Sequence, residues 1–448
     1  MHEIFSSLEL SPEFNTTGEG ALPSAYAVSD LAVAAYGAVG QAMAELLGAL
    51  GLAHTPRVSV DRVLASRWYG YSIYPLGWAL PPLWDAIAGL YPCKTGWIRL
   101  HTNIPRHRAA ALLVLGASPT RESVAQATLD WQAEDLETAI AQAGGVAAMM
   151  RSREAWAAHP QGQALAKAPL VEWLSLRKTT AKSWAATPAR PLNGLKLLDL
   201  TRVLAGPVAS RTLAGFGAEV LRLDPPDWEE PNVIPDVTLG KRCARLDLRQ
   251  PPDRAIFETL LSEADILVHG YRQGALEGLG YGLEMRQNLN PDLIEASLNA
   301  YGWSGPWAGR RGFDSLVQMA CGIADSGRIR AGADMPTPLP VQALDHATGY
   351  LMAAAVIKAL TRSALGKGVV NARLSLVRTA ALLMQHPQAE NGTLSPTPEA
   401  ENFAPALETT PWGPARRLKP ALKVQGAAMK WDSPAAALGS APPCWHAA

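Results

Sequence analysis

The amino-acid sequence predicts an α/β fold in which helices flank a parallel β-sheet, with a smaller α+β domain beside it. The first observation behind this prediction is that short apolar runs alternate with amphipathic segments of helical length from Gly194 onward. Such alternation is typical of parallel strands joined by crossover helices, which is a Rossmann-like layering. The second observation is a compact mixed segment at residues 93–180, followed by a Pro-containing linker at residues 186–194.

The alternating region predicts its elements one by one along the chain. Its strands are the apolar runs at residues 195–200, 218–224, 244–249, 265–270 and 293–301. The helices between them are the amphipathic segments at residues 207–217, 253–264 and 283–290. In the mixed segment, GWIRL (residues 96–100) indicates a strand, and residues 127–145 indicate a helix.

The composition shifts along the chain predict five segments. These are a polar tail (residues 1–25), a helix and strand segment (26–92), the small α+β domain (93–180), the Rossmann-like domain (191–388) and a Pro-rich arm (389–448). We expect the arm to be extended or partly disordered, because it is weakly periodic.

Residues 26–92 resemble a degenerate repeat of residues 341–386. The helical pattern SDLAVAAYGAVGQAMAELL is similar to LDHATGYLMAAAVIKALTR, and RVSVDRVLASR is similar to GVVNARLSLVRTA. The second match aligns Arg62 with Arg373. The same order in both places favours a duplicated unit, and the alternative is that Ala-rich helices look alike.

Charge and composition exclude several classes of protein. The 40 basic residues balance the 40 acidic ones, so a nucleic-acid partner is not expected. The start has no basic stretch followed by an apolar one, and no uninterrupted run of about 18 apolar residues occurs, so we expect neither a signal peptide nor a membrane span. The four cysteines lie far apart without metal-ligand spacing. We expect a cytoplasmic protein with no metal site.

The segment TRVLAGPVASR lies between a predicted strand and a predicted helix. Ligands of open α/β sheets bind at the carboxyl ends of the strands. Gly206 allows close backbone approach, Pro207 suits a first helical turn, and free N–H groups at a helix start attract phosphate. An ordinary turn is the alternative. The G-x-G-x-x-G fingerprint is absent here, which argues against a nicotinamide enzyme.

Basic residues accompany these turns. A ligand with a diphosphate and a further phosphate needs such cations. Solvated surface charge is the alternative for any single member of the set, which comprises Arg202, Arg222, Lys241, Arg242, Arg272, Arg310 and Arg311.

Two aspartates precede long apolar helical patterns. Asp314 lies in RRGFDSLVQMACGIA, and Asp345 lies in LPVQALDHATGYLMAAAVIKAL. A carboxylate at a helix start is often only a cap. In an apolar setting it can also act as a covalent nucleophile. The pattern alone leaves both roles open.

The segment LNGLKLLDLTRVLAGPVASRTLAGFGAEVLRLD resembles the opening of the family III CoA-transferases, the group that includes formyl-CoA transferase, carnitine-CoA transferase and alpha-methylacyl-CoA racemase. The resemblance continues in order through LGKRCARLDL, NPDLIEASLNAYGWSGP and ALDHATGYLMAAAVIKAL, and covers about residues 191–385. It implies a dimeric enzyme that moves CoA between an acyl-CoA and a carboxylic acid through a covalent aspartyl intermediate. Coenzyme A is then a substrate moiety, and no tightly bound cofactor is implied.

The same resemblance assigns roles to particular residues. It implies that Asp345 is the catalytic aspartate and that Asp314 is its acidic partner. The residues that it places against CoA are Val203, Leu204, Ala205, Tyr271, Arg272 and Arg311.

The sequence also departs from the family pattern. Leu204 stands where the transferases often have Gln, and Pro225 and Gly278 stand where CoA-contacting arginines are common. Phe313 stands where the racemases have a His, so a racemase would lack one of two acid/base groups, and a transferase is favoured. A non-catalytic acyl-CoA-binding homologue is the other alternative.

The order of the segments is unusual as well. Residues 93–178 resemble the family's small domain, which normally follows the Rossmann-like half. This order suggests a rearranged or fused chain. In the front copy of the repeat Asp30 occupies the position of Asp345, but the Thr-Gly pair that follows is missing, so we interpret the front copy as structural.

Overall fold

The computed structural model describes residues 1–174, 176–395 and 397–446, and its elements are numbered along the chain. The front segment forms α1 (His2–Ser7), β1 (Asn15–Thr17), α2 (Val28–Ala49), β2 (Val58–Asp61), α3 (Arg62–Arg67) and β3 (Ile73–Pro75). The next segment forms β4 (Gly89–Pro92), β5 (Trp97–Leu100), α4 (Pro105–Leu115), α5 (Arg121–Thr128), α6 (Ala133–Gln142), β6 (Ala147–Met149), α7 (Arg153–Ala158), α8 (Pro160–Leu165) and β7 (Glu172–Trp173).

The largest sheet contains six parallel strands, namely β8 (Lys196–Leu200), β9 (Glu219–Asp224), β10 (Lys241–Arg245), β11 (Ile266–His269), β12 (Ile294–Asn299) and β13 (Ala372–Ser375). Their order is β10-β9-β8-β11-β12-β13, with β7 antiparallel at the edge beside β13. This is the doubly wound Rossmann order 3-2-1-4-5-6. The predicted parallel α/β fold is confirmed.

The remaining elements complete the layers around this sheet. The helices are α9 (Ala205–Gly215), α10 (Ile234–Val237), α11 (Pro251–Glu263), α12 (Ala275–Gly278), α13 (Leu283–Leu289), α14 (Asp314–Ala320), α15 (Ile323–Ala331), α16 (Ala343–Ala364) and α17 (Leu376–Leu383). A short 3₁₀ turn (Ala400–Asn402) precedes β14 (Phe403–Thr410), β15 (Gly413–Leu418), β16 (Leu422–Val424) and β17 (Ala427–Ala428). The strands β4, β5 and β6 form a separate three-stranded sheet.

Two predicted elements differ from those observed. The third strand was expected at residues 244–249, yet β10 begins at Lys241, whose buried Nζ lies 3.0 Å from Asp199 Oδ2 of β8. A lysine inside a strand breaks the apolar run on which the prediction relied. The helix expected at residues 127–145 is in fact two helices, α5 and α6, separated by a turn.

The internal repeat is visible in the backbone. Both α2 and α16 have 22 residues, and their N-cap residues adopt nearly the same angles, φ −73° and ψ 64° at Ala27 and φ −77° and ψ 65° at Gln342. Each helix leads to a strand and then to another helix. The alignment of Arg62 with Arg373 is wrong, because Arg62 is the first residue of α3 and Arg373 lies inside β13.

The two end segments are more structured than predicted. In the expected polar tail, Ile4, Phe5 and Leu8 are buried, and β1 pairs with β2. Their apolar side chains are too few to form a helical pattern in sequence, but they are covered once the chain packs. In the expected arm, β16 pairs with β2 and β15 pairs with β3. Three positions of the arm, 396, 447 and 448, lie outside the described residues.

The helix α2 lies at the centre of the protein. By length and hydropathy it could span a membrane, which the sequence prediction did not anticipate, but most of its apolar window is buried inside the protein. It packs against α16, where the Tyr36 and Tyr350 rings lie 4.1 Å apart and their hydroxyls are hydrogen-bonded. The repeated helices thus share one core.

Candidate active site

The loop after β8 lies where the strand order of the large sheet reverses, between β8 and β11. In this loop Val203 adopts φ +63°, a conformation that is strained for a β-branched residue. Its N–H donates to Glu230 Oε1 at 2.7 Å, and Arg222 contacts the other oxygen of that carboxylate at 2.8 Å. Strain held in place by surrounding contacts is typical of ligand-binding loops.

Two glycines bring this loop close to α16. A Cβ on Gly206 would lie 2.3 Å from the Thr201 side chain, so glycine is needed for the tight turn into α9. A Cβ on Gly349 would lie 2.3 Å from the carbonyl oxygen of Ala205. Without a side chain at this position, α16 packs directly on the first turn of α9. The Thr-Gly pair of the sequence therefore has a packing function.

Asp314 caps α16 from another helix. Its Oδ2 accepts N–H hydrogen bonds from Leu344 at 2.8 Å and Asp345 at 3.0 Å, and its Oδ1 accepts one from Gln318 Nε2. These contacts satisfy two of the free N–H groups at the start of α16. Asp314 is fully buried and so fixes where α16 begins.

The side chain of Asp345 contrasts with that of Asp314. Asp345 is only 7% exposed, yet its carboxyl group has no hydrogen-bond or ion-pair partner among the described residues. It lines an open cavity of about 350 Å³. A buried carboxyl group that faces a cavity without a partner is poised to meet a ligand.

The two carboxyl groups influence one another. Burial raises the pKa of Asp314 to about 6, against the lowering effect of its backbone and Gln318 hydrogen bonds. Burial, and then the nearby charge of Asp314, raise the pKa of Asp345 well above its usual value. Because only Asp314 receives hydrogen bonds, it is the better site for the negative charge, and Asp345 is the easier one to protonate.

The cavity lies between the Rossmann-like half and the small domain. Val203 and Leu204 line it on one side, and segments 81–86 and 101–104 line it on the other. The imidazole of His101 stacks on Phe313 at 3.9 Å, and its burial lowers its pKa to about 3. The sequence analysis missed His101 as a site residue, since its place depends on how the two domains pack.

Most of the basic residues around the turns have carboxylate partners within 4 Å. These pairs are Arg202–Asp224, Arg222–Asp224, Lys241–Asp199, Arg242–Glu219 and Arg310–Glu137. Their charges are therefore neutralised within the fold. Arg272 and Arg311 differ, because neither has an ion-pair partner among the described residues.

Arg272 and Arg311 lie near a third arginine, Arg106, which also has no acidic partner in the described part of the chain. Burial, followed by the charges of Arg272 and Arg106, lowers the pKa of Arg311. Cations that repel one another without a counter-ion form an anion-binding site. Arg106 opens α4 close to Ile104, a residue of the cavity, so the cluster borders the cavity.

The structure thus brings together several of the predicted site residues. Asp345, Asp314, Val203 and Leu204 gather at the cavity, while Ala205 is buried behind it. Tyr271 and Arg272 lie on the loop after β11 and do not line the cavity. Among the described residues, no group of three or more His, Cys, Asp or Glu side chains is arranged to hold a metal ion.

The model of CoA-transferase family III matches residues 192–411. An acetyl-coenzyme A transferase of Hypoxylon pulicicidum is 36% identical over 40% of this chain and 31% of its own length. A probable fatty acyl-CoA transferase of Mycobacterium tuberculosis is 33% identical over 39% of this chain and 48% of its own length. A formyl-CoA:oxalate CoA-transferase of Rhodopseudomonas palustris is 30% identical over 40% and 45%.

A solved structure of a hypothetical protein from Mycobacterium tuberculosis is also similar. It is 31% identical and covers 44% of this chain and 57% of its own, with a TM-score of 0.40. The chain spans half or less of the length of the curated relatives described above.

Proposed function

The chain belongs to CoA-transferase family III through residues 192–411, and from this premise we propose that it moves CoA from an acyl-CoA thioester to a carboxylic acid through a covalent bond to Asp345. The observation that carries the proposal is the Asp345 carboxyl group, which is buried, without a partner in the described chain, and exposed only to the cavity. A carboxylate with a structural role would have a cation or N–H partner, as Asp314 does.

The first half of the proposed reaction transfers CoA to the enzyme. The Asp345 carboxylate attacks the thioester carbonyl, the C–S bond breaks, and CoA leaves as a thiolate from a mixed anhydride. The thiolate then attacks the Asp345 carbonyl of the anhydride and releases the first carboxylate. The product is an aspartyl-CoA thioester. Covalent splitting replaces one difficult acyl transfer by easier steps.

The second half transfers CoA to the acceptor. The acceptor carboxylate attacks the aspartyl thioester, giving a second mixed anhydride and the CoA thiolate. The thiolate attacks the acceptor carbonyl, which frees the Asp345 carboxylate and forms the new acyl-CoA. The Asp314 hydrogen bonds hold the first turn of α16 in place throughout, so that the attacking group keeps its position.

The arginine cluster supports the proposal that CoA is the bound nucleotide. Arg106, Arg272 and Arg311 border the cavity without acidic partners in the described residues, and CoA offers a diphosphate and a 3′-phosphate. The strained loop at Val203 and Leu204 contributes backbone groups at the sheet edge where such ligands bind. Relatives named for oxalate and for D-citramalate suggest a carboxylic acid acceptor.

Two alternatives from the sequence analysis have weaker support. An acyl-CoA racemase needs acid and base groups on opposite sides of the α-carbon. His101 lies at the cavity, but its pKa of about 3 makes it a poor proton donor near neutral pH. A non-catalytic binder would have no need for a buried carboxyl group without a partner. We also propose a homodimer, following the family resemblance.

The experiment is a mass-spectrometric screen of acyl-CoA donors against carboxylic acids, followed by trapping on the best pair. We expect a hydroxylamine-sensitive acyl adduct on the peptide that contains Asp345, and its loss in Asp345→Asn. Asp30→Asn is the matched control, because Asp30 has the same helical position in the front copy. Full turnover in Asp345→Asn, or an adduct on another residue, contradicts the proposal.

A further inference from the structure

A second cavity, of about 340 Å³, adjoins the one that contains Asp345. The two share Leu83, Trp84, Leu204, Val233 and Gln342 as lining residues, so they are neighbouring parts of one cleft. The walls of the second cavity are mainly apolar, with contributions from residues 338–341 of the loop before α16.

A buried arginine lines this second cavity. Arg99 of β5 is 8% exposed, and its guanidinium has no hydrogen-bond or ion-pair partner in the described part of the chain. Its one favourable contact is with the Trp84 ring, 4.4 Å from the guanidinium carbon. A buried charge without a partner is costly to a folded protein, so its presence indicates a missing counter-ion.

Two neutral groups beside Arg99 also have no partner among the described residues. The hydroxyl of Tyr69 and Nδ1 of His346 are buried and line the same cavity, with the two rings stacked at 5.2 Å. The one carboxylate in this lining, Asp236, is already hydrogen-bonded to Ser72 and paired with Arg211 and Arg417. The cavity therefore offers one positive charge and two neutral polar groups to an anion.

The relation of the two cavities suggests what that anion is. Asp345 lines the first cavity, and the next residue of α16, His346, lines the second. Building on the proposed function, we propose that Arg99 binds the distal carboxylate of a dicarboxylic acid, or of its acyl-CoA half-ester, while the reacting carboxyl group lies at Asp345. The planar guanidinium suits a carboxylate, and the apolar walls suit the methylenes between the two acid groups.

The test measures binding in the absence of CoA, so it does not depend on turnover. Calorimetric titrations compare succinate, glutarate and adipate with butanoate, pentanoate and hexanoate. We expect the best dicarboxylate to bind about 10- to 100-fold more tightly than the acid of equal length, as for hydrogen bonds to a charged group. Arg99→Met should bring that ratio close to one, and Arg99→Lys should keep part of it.

Arg121→Met is the matched control, because Arg121 lies over Tyr91 at 5.2 Å in the same domain but outside the cleft. It should keep the preference. Equal binding of diacids and monoacids by the unmodified protein overturns the inference, as does an unchanged ratio in Arg99→Met. If Arg99 served only to offset the charge of Asp314, Arg99→Met would weaken both acid series equally, which also overturns it. Tight diacid binding with no turnover by any pair would instead refute the proposed function alone.

Discussion

The two copies of the repeated unit place an aspartate at the same position of the same kind of helix, and the surroundings of the two side chains are opposite. In α2 the Asp30 side chain is 50% exposed and forms an ion pair with Arg62 at 2.6 Å. In α16 Asp345 is buried, has no cation beside it in the described chain, and faces the cleft. The helix position alone therefore does not make a nucleophile.

The difference arises from what packs on each helix. In the back copy Gly349 admits the first turn of α9, and the capping carboxylate of Asp314 comes from α14. The corresponding residue of the front copy is Ala34, seven helical positions from the start as Gly349 is. The front helix keeps a local ion pair instead of a capping acid. One unit thus became a site, and the other became a supporting wall.

The largest expected effect is that of Asp345→Asn. We expect kcat to fall about ten-thousand-fold or more, as for the loss of a covalent nucleophile. Binding of CoA, followed by calorimetry, should persist, since the arginine cluster is untouched. Asp30→Asn should keep normal turnover. Comparable losses in the two variants would remove the contrast between the copies.

The next effect is on the pH dependence of turnover, through Asp314→Asn. The reaction needs ionised Asp345, whose pKa is raised by burial and by the Asp314 charge, so kcat/KM should rise with pH across its acid limb. Removing the charge lowers the pKa of Asp345 and should shift that limb to lower pH. The amide oxygen of Asn still accepts a backbone hydrogen bond, which limits structural damage. An unmoved limb would show that the two groups do not interact.

Stability gives a related sign. Burial raises the pKa of Asp314 to about 6 in the folded state, so its protonated form is favoured by folding. That contribution is fully present below about pH 4, the unfolded value, and is lost as the pH rises through about 6. Asp314→Asn should remove this part of the pH dependence of unfolding.

A smaller effect is expected from Gly349→Ala. The new Cβ would lie 2.3 Å from the Ala205 carbonyl oxygen, and overpacking of this kind costs about 1–3 kcal/mol, against a gain of about 0.5–1 kcal/mol from helix propensity. The free energy of unfolding should fall, and CoA should bind more weakly as α9 moves. Ala34→Gly is the counterpart in α2 and should cost only the propensity difference. A stabilised Gly349→Ala would contradict the close approach.

The smallest effect is expected from Arg62→Met, which breaks the ion pair with Asp30. Because the Asp30 side chain is half exposed, solvent screens the pair, and its loss should change the free energy of unfolding by about 0–1 kcal/mol. Chemical denaturation measures the change. A loss of several kcal/mol would mean that the front copy depends on this pair as much as the back copy depends on Asp314.

Local patterns predicted the parallel sheet and the loop after β8, because each strand and helix there is encoded by its own residues. The antiparallel pairs β15–β3 and β16–β2 were not predictable, since they join segments far apart in sequence. For the site, the sequence drew attention to Asp345 and Asp314. It gave no sign of His101 or Arg99, which read as ordinary residues of a short strand and the loop after it until the two domains meet.

The pairing of β16 with β2 has a consequence for the birth of the protein. Residues 58–60 wait for residues 422–424 before their sheet can form on that side. During synthesis the front unit leaves the ribosome with this strand edge open and with α2 lacking its partner α16. Long-range closure of this kind is slow and leaves apolar surface uncovered in the meantime. The nascent chain is therefore a natural client for chaperones until its last strands arrive.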